Sequence, residues 1–101
     1  VYQKVVRLAE GVKNETLVHT ALLFYKAKAL HGLGLLDVAR DTLTGALRRK
    51  KDRSGDLLRA IRYERIQVYE DLGQRRRARS ELEKLYAETP DYEDVADRLG
   101  L

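Results

Sequence analysis

The sequence has no cysteine, methionine or tryptophan, one proline, one phenylalanine and two histidines. Without cysteine there is no disulfide staple, no thiolate nucleophile and no thiolate metal ligand. With no Met even at position 1, the chain is expected to be a fragment of a longer protein. The longest wholly apolar stretch is only a few residues, far short of the ~18 that a membrane-spanning helix needs. No secretory signal pattern occurs in these residues, and a cytoplasmic location is expected. At 101 residues the chain fits one domain, residues 1–101. A domain of this size buries roughly two thirds of its unfolded surface. That supports one modest core, but not a deep enclosed active site beside it.

Charge is present in quantity and is unevenly placed. The net charge of +4 combines +2 over residues 1–39, +7 over 40–79 and −5 over 80–101. A basic middle and an acidic tail can steer partners, and they can equally be solvated surface.

Apolar residues recur with helical spacing throughout. Tyr2, Val5, Val6, Ala9 and Val12 suggest a first helix ended by Gly11 and Asn14. Leu23, Ala27 and Leu30 mark a second, which Gly34 closes. Ala39, Leu43, Ala46 and Leu47 stripe a third, from Leu36 to about Lys50. Ser54 is a good N-cap for a fourth carrying Leu58, Ile61, Ile66, Tyr69 and Leu72, ended by Gly73. Ala78, Leu82, Leu85 and Tyr86 line a fifth that stops before Pro90. Thr89 or Asp91 can cap a short sixth with Val95, Ala96 and Leu99. Connections of about two to five residues favour antiparallel helical hairpins. The expected fold is all-α.

Two hairpins repeat at one offset. Leu33-Gly34 matches Leu72-Gly73, 39 residues on. Ala39-Arg40 matches Ala78-Arg79, Leu43 matches Leu82, Leu22 matches Ile61, and Leu30 matches Tyr69. A repeat of this length reads as stacked hairpins that bury their apolar faces against one another. The units resemble tetratricopeptide repeats, in which a small residue and then an aromatic precede a turn Gly and a close-packing Ala. Ala27 and Leu30, then Ile66 and Tyr69, take the first two roles. Gly34 and Gly73 take the turn, and Ala39 and Ala78 the close approach. Pro90 matches the terminal proline of the second unit, where the first has Lys51. Val6 and Ala9 look like the remnant of a preceding second helix. The likeness covers about two and a half repeats and implies a short right-handed solenoid. Departures are the 39-residue spacing, Leu23 and Arg62 where a large aromatic is usual, and Ile66 for the small residue. Long-period repeats of the armadillo type are the alternative.

Chemistry-bearing patterns are sparse. His19 and His31 are twelve residues apart, about 18 Å along one helix, and no third ligand suggests zinc. The acids between Glu81 and Asp97 lack the alternating spacing and central Gly of a calcium loop. Gly32-Leu33-Gly34 lacks the strand and downstream Gly of a dinucleotide loop. No catalytic residue, cofactor or metal site is expected, and the chain is read as no enzyme. Arg48, Arg49, Lys50, Lys51 and Arg53 form one basic run, and Arg75, Arg76, Arg77 and Arg79 another. No nucleic-acid motif or interleaved aromatic accompanies them.

The resemblance implies a scaffold that binds a protein or peptide in a groove lined by the first helices. Mapped here, the outward positions are Phe24, Lys28 and His31, then Tyr63, Gln67 and Glu70. Phe24 and Lys28 do not reproduce the Lys and Asn pairs with which some such modules grip a C-terminal carboxylate. Alternatives are a structural or assembly module of a larger regulator or enzyme, and a nucleic-acid adaptor using the arginines.

Overall fold

A computed structural model describes residues 1–101 and contains six helices and no strand. They are α1 (Tyr2–Leu8), α2 (Leu17–Gly32), α3 (Leu36–Ala46), α4 (Gly55–Asp71), α5 (Arg75–Glu88) and α6 (Val95–Arg98). Each packs on its neighbour in the chain, and α2 also touches α4. None is long and apolar enough to cross a membrane.

Local chemistry sets both ends of α2 and of α4. The Thr16 hydroxyl accepts the His19 N–H at 3.1 Å to start α2, and Ser54 accepts the Leu57 N–H at 3.1 Å to start α4. Each bond satisfies a donor that helix geometry leaves orphaned. At the far end of α2, Gly34 adopts φ +79°. Its N–H donates to the His31 carbonyl at 3.0 Å, and the Leu35 N–H reaches Leu30 at 2.9 Å. The end of α4 repeats this arrangement. Gly73 has φ +78° and donates to Glu70 at 2.9 Å, while Gln74 donates to Tyr69 at 2.8 Å. Both are Schellman closures, and both need a residue without a Cβ penalty at positive φ.

Three ends differ from the sequence expectation. α1 stops at Leu8, so Ala9 caps it and Val12, expected on it, lies beyond it. α3 stops at Ala46 rather than near Lys50. The Asn14 side-chain amide donates to the carbonyls of Gly45 and Ala46 at 3.1 and 3.0 Å, closing the helix from outside. The carbonyl oxygen of Asn14 in turn accepts the hydroxyl of Thr20, which is fully buried and accepts Arg53 Nε at 2.9 Å. The last helix starts at Val95, after Asp94, rather than directly after Thr89 or Asp91. Glu93 takes φ +44°, through which a right-handed helix does not run.

The core forms two clusters that share one helix. Ala27 and Leu30 of α2, Ala39, Leu43 and Ala46 of α3, and Ile61 and Val68 of α4 make the first, with Leu47. Ile66 and Tyr69 of α4, Ala78, Leu82 and Leu85 of α5, and Val95 of α6 make the second. Ile61 and Val68 lie two turns apart on one side of α4, and Ile66 and Tyr69 one turn apart on another. Fully burying a side chain such as Leu43 or Ile66 is worth about 1.5–3 kcal/mol. Ala39 and Ala78 are 0% and 2% exposed at equivalent places on α3 and α5, so each lets the helix it faces approach closely.

Replacing Ala78 by Phe is expected to overpack the second cluster and to lower stability by about 1–3 kcal/mol. A denaturant midpoint that stays at the wild-type value would show that this crossing is not close-packed.

Candidate functional site

The six outward positions divide into two groups. Tyr63, Gln67 and Glu70 recur at four- and three-residue steps along α4 and line one open hollow of about 360 Å³. Asp71, Asp94 and Arg98 complete its wall. Phe24 and Lys28 on α2 do not line it. They pair with each other, the ammonium lying 5.3 Å from the ring centroid, and half-buried Phe24 packs against the first core cluster. His31 reaches the hollow only through Asp71.

His31 ties α2 to α4. Its Nδ1 lies 2.6 Å from Glu64 and its Nε2 2.6 Å from Asp71. Glu64 and Asp71 are seven residues apart, two helical turns, and so present two oxygens along one face of α4. The imidazole sits in the last turn of α2, where the helix dipole favours positive charge. Burial pulls its pKa down, but the hydrogen bonds to Asp71 and Glu64 and the charges of both outweigh it. The net pKa is raised above 6.5. Both ring nitrogens are thus engaged within the chain.

A second set of contacts ties the C-terminal segment to α4. The Tyr63 hydroxyl donates to Asp94, and Arg98 pairs with Glu70. The Arg98 guanidinium lies 5.6 Å from the centroid of the Tyr63 ring, and Tyr92 meets that ring edge-on at 5.8 Å. Burial and then the bond to Asp94 hold the Tyr63 phenol above its usual pKa of 10.0, against the opposing effect of Arg98. The charged groups of the wall are therefore matched inside the chain: Asp71 by His31, Glu70 by Arg98, and Asp94 by Tyr63. The half-buried Gln67 amide has no side-chain partner, so it retains both a donor and an acceptor face.

Sequence reading missed Glu64, Asp71, Asp94 and Arg98. The seven-residue spacing of Glu64 and Asp71 was the one signal available. Nothing local marks Asp94 or Arg98 as partners of α4.

The two basic runs lie at opposite ends of α4. Residues 48–53 lead into it, and residues 75–77 follow it. A helix of 17 residues separates them by about 25 Å, so they do not merge into one patch. Several of these cations are also engaged internally. Arg53 turns in to Thr20, Arg77 stands 5.5 Å from the Tyr69 ring centroid, and Arg79 pairs with Glu83 at 3.8 Å.

Comparison with protein families, curated proteins and solved structures finds no match.

The His31 clamp has a pH signature. A pKa raised on folding contributes stability that is fully present below the unfolded value near 6.5, and that is lost as pH rises through the folded value. Urea midpoints at about pH 6 and pH 9 are expected to fall for the wild type and to converge for His31→Gln. Equal pH slopes in the two proteins would contradict the clamp.

Proposed function

We propose that this chain is a non-catalytic, tetratricopeptide-like module whose first-helix face binds another protein or an extended peptide. The observation that carries the reading is the convergence of Tyr63, Gln67 and Glu70 on one open hollow. Tyr63 offers an aromatic surface, and the Gln67 amide a donor and an acceptor of the kind that peptide backbone groups require. Two further features support it. The Gly-closed turns recur 39 residues apart with the same hydrogen-bond pattern, and beyond chain neighbours α2 packs on α4 and α6 reaches α4 through its side chains. That is the contact pattern expected of stacked hairpins in a short solenoid.

Catalysis finds no support in the same geometry. General acid–base work needs groups with separated pKa values held where a substrate can reach them. Here the carboxylates of the hollow are spent on His31, Arg98 and Tyr63, and the imidazole is held at both nitrogens. What is left exposed is suited to recognition.

Aromatic residues central to an interface usually carry most of its energy, and rim charges mainly affect association rate. Against a peptide selected for binding to the whole chain, Tyr63→Ala is expected to weaken equilibrium affinity by about 2 kcal/mol or more. Neutralising Arg75, Arg76 and Arg77 together is expected to slow association at low salt with little change in affinity at physiological salt. The reverse pattern, with affinity lost only in the arginine variant, would assign binding to the basic surface instead.

A further inference from the structure

Large apolar side chains left exposed are distributed unevenly. Nine of the ten fall within residues 1–38, and only Leu101 lies elsewhere. Four are on α2: Leu17, Val18, Leu22 and Tyr25. The helical period puts Val18, Leu22, Tyr25, Ala29 and Gly32 on one face. The C-terminal end of this stripe is covered, with Ala29 3% exposed and the Tyr2 ring of α1 seated on Gly32. The N-terminal end is bare, with Val18 64%, Leu22 39% and Tyr25 57% exposed.

The charges beside the stripe specify what fits it. Lys26 and Lys28 flank it on its two sides, each roughly a quarter turn away. α2 carries no acidic residue at all. An apolar seam between two basic edges is the complement of an amphipathic helix with an apolar stripe and acidic flanks. A second copy of this chain does not meet that description. Symmetric pairing of two α2 helices would set lysines against lysines, and the C-terminal half offers no comparable exposed apolar face.

We propose that the Val18–Leu22–Tyr25 stripe is a docking surface for an amphipathic helix with Glu- or Asp-rich flanks, supplied by another protein. The surface is separate from the α4 hollow and does not depend on it. Burial of the three side chains supplies affinity, and the two lysines set the sign of the partner's flanking charge and its register.

The test uses the whole chain and two designed helical peptides of about five turns. Both carry the same leucine stripe, one with glutamate flanks and one with lysine flanks. In an amide NMR titration the glutamate peptide is expected to perturb Val18, Leu22, Tyr25, Lys26 and Lys28. It should bind at least about tenfold more tightly than the lysine peptide. Lys26→Glu with Lys28→Glu should reverse that preference while the far-ultraviolet dichroism stays helical. Leu22→Gln should weaken the glutamate peptide by about tenfold or more, and Tyr63→Ala should leave it unchanged. Absence of binding, equal binding of both peptides, or perturbation centred on Tyr63, Gln67 and Glu70 would overturn the proposal. So would sedimentation showing a wild-type dimer that Leu22→Gln dissociates, since that gives the surface to a second copy. Loss of peptide selection by the α4 hollow alone would bear on the proposed function and not on this surface.

Discussion

The chain must reverse direction within three residues both after α2 and after α4, and the packing depends on those reversals. Each uses a glycine near φ +80° to bring two successive N–H groups back onto the carbonyls of the preceding turn. The geometry leaves little freedom in where the next helix goes. Ala39 and Ala78 then fall five residues beyond their glycines, both nearly inaccessible to solvent. A reversal of another shape would rotate α3 or α5 and present a charged side chain at the crossing. Turn and crossing are therefore one constraint, which the chain carries twice.

α4 bears the consequence. It is the second hairpin's first helix and also a wall of the first hairpin's core, so it is apolar on two sides. Its remaining face is polar and is committed in two directions. Glu64 and Asp71 hold His31 of α2, while Tyr63 and Glu70 hold Asp94 and Arg98. His31 and Glu70 are 39 residues apart in sequence, and each ties its helix to a later element, His31 to α4 and Glu70 to α6. The hollow that carries the proposed function lies between these two commitments, which orient Tyr63 and leave Gln67 available. The bare stripe on α2 is on a different face, beside α1.

Much of the fold was legible because its signals are local. Ser54 as a cap, Gly34 and Gly73 as stops, and the Ala39 and Ala78 stripes each follow from spacings of a few residues. The unread features are those whose partners are distant in the chain. Asn14 closes α3 from 31 and 32 residues away, and Arg53 turns inward to Thr20 across 33. A basic run read from sequence cannot reveal that one of its members is drawn into a buried polar network. The site divided in the same way. The step of 63, 67 and 70 along α4 follows from helical period alone. The ion pairs that define the wall depend on how Asp94 and Arg98 return to α4, which no period encodes. Phe24 and Tyr63 lie 39 residues apart yet sit differently: Phe24 packs against the first core cluster, while Tyr63 meets Tyr92, Asp94 and Arg98 of the C-terminal segment.

Two glycine closures with the same hydrogen-bond pattern direct this fold, and three single substitutions measure their weight. Gly34 and Gly73 have open space where a Cβ would stand, so an alanine there meets only the conformational penalty of positive φ. Gly45 lies inside α3, also with open space but without positive φ. Denaturant unfolding should show Gly34→Ala and Gly73→Ala each destabilised by a similar ~1–2 kcal/mol. Gly45→Ala should be stabilised by about 0.5–1 kcal/mol from better helix propensity. If either turn variant is neutral, or if all three shift alike, the chain is not built on two equivalent closures.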